Sequence, residues 1–271
     1  MAKKSKLNKT LIKKKARFEK GVIVFLGFAA FFVGVKLLFP TFASSASWHP
    51  VSKSGIPSGV YARDIGTGGA GEFVVGSDGN VYRLNGSNWS RVGNARAEKI
   101  AVGPNSIWVV QTNGDLARWN GSYWASANLN HSGAIIDVAV NSDDSMYFTK
   151  ADGVYRSSGS RVQSSHPSGG GGLAVRPGLL LWSTTDHHLY YYKFSGSGLP
   201  TGIFAYDTGA YDGNSEWAIT TTPTNNGYTV DHLYAVGWRQ EPYHVGANQI
   251  SVDQHGNPWI ITGPHNIYHW Y

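Results

Sequence analysis

From Ala101 to Trp124 the chain alternates short apolar runs with tight polar breaks. Ile107-Trp108-Val109-Val110 and Leu116-Ala117-Arg118-Trp119 follow Ile100 and Val102, and Asn113-Gly114 and Asn120-Gly121 fall after them. Asn-Gly beside β-branched and aromatic runs is a strong short-range hairpin signal, so the stretch reads as consecutive antiparallel strands. The same phrase occurs one unit upstream, where Ile65, Phe73, Val81-Tyr82, Asn85-Gly86 and Trp89 stand in matching order. The chain is therefore a repeat array.

Further copies run through 137–156, 172–192 and 249–271, with a degraded one from Trp217 through His232-Leu233-Tyr234. First strands are expected at Ile65, Ile100, Val138, Leu173, near Ile219 and at Ile250, so five intervals cover 185 residues, or 37 each. A period of this size with several short strands per unit marks a β-propeller or a solenoid. The last unit stops at Ile267-Tyr268-His269-Trp270-Tyr271 without its Trp-x-x-Val strand, while Trp48-His49-Pro50-Val51 supplies that strand at the other end of the array. Such an offset suits a closed ring, in which the early strand covers an edge that would otherwise template aggregation. The expectation is an all-β fold, a six-bladed β-propeller over 48–271.

The unit, I-x-V, then Gly and a Trp-bearing strand, then Gly/Asn-x-[IV]-Tyr, then Trp-x-x-Val, resembles the tectonin-type propellers, a family that includes fish-egg and invertebrate lectins. The resemblance covers 48–271 and is weakest between 200 and 248. The Gly-His and Trp-Asp marks of WD40 repeats are missing. What the resemblance implies is a six-bladed propeller that often binds glycans, lipopolysaccharide among them, although some such domains are scaffolds.

Composition agrees with β structure, with 34 Gly, 10 Trp and 15 Tyr against two Met. With no cysteine, disulfides and thiolate metal sites are excluded. The net charge of +6 is unevenly spread. Residues 1–20 carry eight Lys and Arg17 against Glu19, and Lys36 brings residues 1–40 to +9, which leaves −3 for 41–271. A mildly acidic repeat region has no nucleic-acid signature.

The basic tail, 1–20, precedes an apolar run from Gly21 to Phe39 broken only by Lys36. At ~1.5 Å per residue such a helix is about as long as the hydrocarbon core of a bilayer is thick. The expected organisation is a cytoplasmic tail, a transmembrane signal-anchor at 21–39, a linker at 40–47 and the propeller on the extracytoplasmic side, periplasmic or at the cell surface. A signal peptide cleaved near 41–47 and a prepilin-like cut after Gly21 are the rival readings.

Most tryptophans fall in phase with the repeat and read as packing between sheets. Trp217 and Trp238 are out of phase, beside the longer loops of the degraded unit, and with Arg239 and Tyr243 they form the candidate ligand-binding set, an aromatic platform for stacking on a sugar ring. The histidines at 187, 188, 232, 244, 255, 265 and 269 lack chelating spacing, so no metal site is expected, and neither is a cofactor. There is no Gly-x-Ser-x-Gly elbow and no cysteine nucleophile, so no catalytic residues are assigned. The expected function is lectin-like binding of envelope or extracellular glycans by a non-enzymatic, membrane-anchored propeller. The alternative is an interaction scaffold with a membrane or envelope protein partner.

Overall fold

The structure is a computed structural model, and it describes residues 46–127, 129, 133–163, 171–184, 186–193, 199–212, 215–234, 237–241 and 245–271. The expected tail and the anchor at 21–39 lie outside these residues. Among the described residues there is no helix, and hence none long and apolar enough to cross a membrane.

Strand β1 (Trp48–Val51) stands apart in sequence from its sheet. Then β2 (Ala62–Gly68), β3 (Gly71–Gly76), β4 (Val81–Asn85) and β5 (Asn88–Arg91) form one antiparallel four-stranded sheet. Three more sheets are built the same way. One holds β6 (Ala97–Val102), β7 (Ile107–Gln111), β8 (Leu116–Trp119) and β9 (Trp124–Ser126), and the next β10 (Asp137–Val140), β11 (Met146–Lys150), β12 (Gly153–Arg156) and β13 (Arg161–Gln163). The last joins β21 (Gln249–Val252), β22 (Pro258–Ile261) and β23 (Ile267–Trp270) to β1, with Trp48 opposite Trp270 and Val51 opposite Ile267.

The remaining seven strands make one continuous sheet: β14 (Leu173–Arg176), β15 (Leu179–Ser183), β16 (His188–Lys193), β17 (Leu199–Gly209), β18 (Trp217–Thr224), β19 (Gly227–Tyr234) and β20 (Gly237–Gln240). This corrects the expectation of six separate blades: there are four four-stranded blades and a seven-stranded sheet. The cause is β17, eleven residues long, which pairs with β16 through Pro200 and Phe204 and with β18 through Ala205 to Gly209. Ile219 is corrected too. It lies in β18 and pairs with Asp207 of β17, so the first strand of its unit is the second half of β17, some twelve residues earlier.

Neighbouring sheets pack face to face around a ring. Phe73 and Val75 of the first sheet meet Ile100, Val102 and Val109 of the second. Trp259, Ile261 and Ile267 of the last sheet pack on Ile65, Val74 and Trp89 of the first, which closes the ring. Each such fully buried side chain contributes ~1.5–3 kcal/mol. The innermost strands, β2, β6, β10, β14, the second half of β17 and β21, line a central channel. Towards the C-terminal ends of the innermost strands the backbones approach so closely that a Cβ on Gly68 would lie 2.4 Å from the Val102 carbonyl oxygen, so only glycine fits there.

Hairpin turns follow from local polar chemistry. In the turn between β3 and β4, Asp78 Oδ1 accepts the Asn80 N–H at 3.0 Å and Gly79 takes φ +75°, the left-handed position that this turn requires. His187 and His265 occupy left-handed positions in two other turns, at φ +66° and +60°, where a side chain is strained.

Candidate functional site

The start of the innermost strands is chemically distinct from the rest of the ring. There β2, β6 and β17 each carry a β-bulge, at Arg63, Glu98 and Tyr206, which lack a partner in the strand register. A bulge bends the strand and re-aims its side chains. The next residues, Asp64, Lys99 and Asp207, together with Asp137 of β10, line the channel.

Three of these are buried carboxylates, and each ties its own strand to the next. Asp64 accepts the Ile100 N–H at 2.7 Å, Asp137 the Leu173 N–H at 2.7 Å and Asp207 the Ile250 N–H at 2.9 Å. Asp137 and Asp207 also accept the N–H of Val138 and Thr208. Strands of different sheets are not laddered to one another, so these inward N–H groups need side-chain acceptors. Lys99 completes the frame, donating to Asp64 at 3.4 Å and to Gln249 Oε1 at 2.7 Å, and so bridging β6 across β2 to β21.

Burial pushes Asp137 up to about 7 and Asp207 up to about 6, with Lys99 opposing the shift and the other carboxylates of the channel adding to it. Asp64 is raised by burial, against the pull of Lys99 and the Ile100 amide. Lys99 is raised as well, because the attraction of Asp64, Asp137 and Asp207 outweighs its own burial. The channel encloses about 60 Å³, room for a few waters and too little for a sugar. Its carboxylates act as inter-strand ties.

Beside the mouth lies a larger polar cleft of about 830 Å³ between the first two sheets. Its walls come from the β3–β4 turn (Asp78, Asn80), from the end of β5 (Arg91), from the segment between β5 and β6 (Arg96) and from Asn113, with Arg63 entering from its bulge. Tyr61 stands next to it, joined to the cleft residue Ser77 by two backbone contacts: the Ser77 N–H donates to the Tyr61 carbonyl at 2.8 Å and the Tyr61 N–H to Ser77 Oγ at 3.3 Å. Tyr61 is 43% exposed, and its ring stacks on His265 with centroids 4.0 Å apart.

The residues singled out by sequence lie elsewhere. Trp217 is 3% exposed and packs in the wall between β18 and β21, leaving no ring face for a ligand. It is also in phase, since it occupies the second-strand place held by Trp108, Trp182 and Trp259. Trp238 is half-buried and packs near Leu189 and Ala218, Arg239 is exposed on β20, and Tyr243 lies outside the described residues. Among the described residues no three His, Asp or Glu side chains are grouped to hold a metal ion. His269 Nε2 donates to Asp253 Oδ2 at 3.2 Å, and His232 faces Glu241 at 3.7 Å, as pairs.

The family model for the tectonin domain matches residues 61–168, a stretch that begins at Tyr61 and contains the cleft. No curated protein sequence matches the chain. Solved structures of similar fold include a gluconolactonase from Xanthomonas campestris, with a TM-score of 0.60 and 14% identity over 83% of this chain and 89% of that one. Streptogramin B lyase is similar at 0.55 and 12% identity, over 83% of this chain and 97% of the lyase. The WD40 β-propeller domain of Doa1 is similar at 0.52 and 10% identity, over 83% and 97%. At these identities the likeness establishes the fold alone: the chain is an all-β propeller with a tectonin-matching segment.

Proposed function

We propose that the chain is a lectin-like binding protein, carried on a membrane by its apolar run at 21–39, whose propeller holds glycan on the extracytoplasmic side. The observation that carries this reading is the polar cleft between the first two sheets, with the exposed Tyr61 tied through its backbone to the cleft residue Ser77 and its ring stacked on His265. A sugar presents hydroxyls at its edge and C–H groups on its faces, so it needs convergent hydrogen-bonding side chains and an aromatic surface. Asn80, Asn113 and the arginines supply the first, and Tyr61, held in place by His265, supplies the second.

The channel carboxylates support binding over catalysis, because each is committed to amides of its own and the neighbouring strand. A scaffold would present a contiguous apolar face. Among the described residues the large exposed apolar side chains are Tyr61, Tyr123, Phe204 and Tyr271, which belong to different sheets.

The test is binding of the full-length chain, in mild detergent, to a glycan array. Binding that free sugar competes away and that Tyr61→Ala weakens about tenfold or more, with the fold intact, is the expected result. A folded chain that binds no glycan, and co-purifies with a stoichiometric protein partner, overturns this reading in favour of the scaffold.

A further inference from the structure

Resting on that glycan reading, we propose that the cleft selects an acidic saccharide, one bearing a carboxylate or a phosphate ester, held between the guanidinium groups of Arg63 and Arg96.

The cleft contains three arginines, at 63, 91 and 96, and one carboxylate, Asp78. That carboxylate is already engaged by the Asn80 N–H, by the Asn80 side-chain amide at 2.7 Å and by the Tyr82 hydroxyl at 2.7 Å. Arg91 is also committed, donating to the Gly93 carbonyl at 3.2 Å and to the Asn94 side chain. Arg63 and Arg96 are different. Both are exposed, and among the described residues neither guanidinium has a hydrogen bond or an ion pair. Asp64, next to Arg63 in sequence, turns away into the channel and is neutralised by Lys99. Two unpaired positive groups thus sit in one cleft, on a repeat region whose net charge is −3.

The backbone at both positions is specialised. Arg63 is the bulged residue of β2, which frees it from the strand register. Arg96 has φ +49°, a conformation that a long side chain adopts only under constraint. The constraint is visible: the Thr112 N–H donates to the Arg96 carbonyl at 2.9 Å, and the Gln111 side-chain amide to the Ala95 carbonyl at 2.9 Å. Glycine or asparagine would take this position without strain, so an arginine here is held for its side chain. A guanidinium presents paired N–H donors that match two oxygens of a carboxylate or phosphate, and it stays charged at any accessible pH.

The experiment presents the full-length chain with matched acidic and neutral saccharides: oligogalacturonate and its methyl ester, and mannose 6-phosphate and mannose. Titration is expected to show at least one acidic member bound ~10–100-fold tighter than its neutral twin, the range that a charged hydrogen-bonded pair supplies. The uronate and phosphate arms separate the two sources of the anion. The double variant Arg63→Ala, Arg96→Gly should remove that preference and keep its melting temperature, because glycine relieves the strain at 96. If acidic and neutral twins bind the wild-type chain equally, the charge selection is wrong and the glycan reading stands. If the folded chain binds neither kind, both fail.

Discussion

The rings of Trp217 and His232 lie 4.1 Å apart and within 5° of parallel, directly opposite each other on β18 and β19. The same cross-strand place holds Phe73 under Arg83, Trp108 under Arg118 and Tyr147 under Arg156 as cation–π pairs. Trp182 stacks on Tyr190 and Trp259 on His269 in that place too. The repeat is therefore an aromatic ring of the second strand covered by a flat side chain of the third. Trp217→Ala should accordingly destabilise the fold by about 3–5 kcal/mol, as for any large buried aromatic. Urea unfolding measures this. A variant that folded normally and lost only ligand binding would show that Trp217 is exposed to ligand after all.

Stability should be greater near pH 5 than at pH 8. Asp137 and Asp207 hold protons in the folded protein up to about 7 and about 6, whereas an unfolded aspartate releases its proton near ~3.9. Between these limits the folded state binds more protons than the unfolded one, so stability falls as pH rises from about 4 to about 7, by several kcal/mol. Below about 4 the trend reverses, because Asp78 and Asp253 are held below the ordinary carboxylate range. In each, burial pushes the other way and is outweighed by hydrogen bonds, from Tyr82 and Asn80 in the first and from His269 and nearby amides in the second. Thermal melts from pH 3 to 8 check both limbs. A melting temperature that rises steadily to pH 8 would contradict the assignment.

The tie from Asp207 to Ile250 separates charge from hydrogen bonding. Asp207→Ala leaves the buried Ile250 N–H without an acceptor and should lose about 1–3 kcal/mol. Asp207→Asn keeps one acceptor oxygen and cannot ionise, so it should be milder and should flatten the pH dependence above pH 5. Equal losses from both variants, with the same pH profile, would mean that this carboxylate is not an inter-strand tie.

Closure rests on β1, where Trp48 packs edge-on against Trp270 with centroids 5.3 Å apart. Deleting residues 1–51 uncovers the edge of β23, and exposed edges pair with other chains. The truncated chain should melt lower and associate in a concentration-dependent way by light scattering. A monomer of unchanged stability would show that the ring does not need this strand.

Much of the fold was legible because each turn and strand is written locally: Asn-Gly and Asp-Gly pairs, a 37-residue period, and an orphan Trp-x-x-Val strand at one end with its absence at the other. The merged sheet was not, because β17 crosses a stretch where the repeat has lost its marker residues, and the period shifted Ile219 onto the wrong strand. The same shift made Trp217 look out of phase and so a candidate for ligand contact. The cleft was hidden for another reason: it joins residues from a bulge, a turn and an inter-sheet segment, none remarkable alone. A weak signal was present in Ala62-x-Asp64, Ile135-x-Asp137 and Ala205-x-Asp207, an apolar or small residue two before an aspartate at the start of three of the six innermost strands. That pattern marks the channel ties, and with them the end of the ring where Arg63 and Tyr61 stand.

The most direct test of where ligand binds is amide hydrogen exchange on the full-length chain, with and without a bound glycan from the array. Slower exchange at 77–80, 91–96 and 111–113 is the expected result, with β20 and the segment around Trp238 unchanged. Protection confined to Trp238 and Arg239, with none at those three segments, would contradict the cleft and move the site to the seven-stranded sheet.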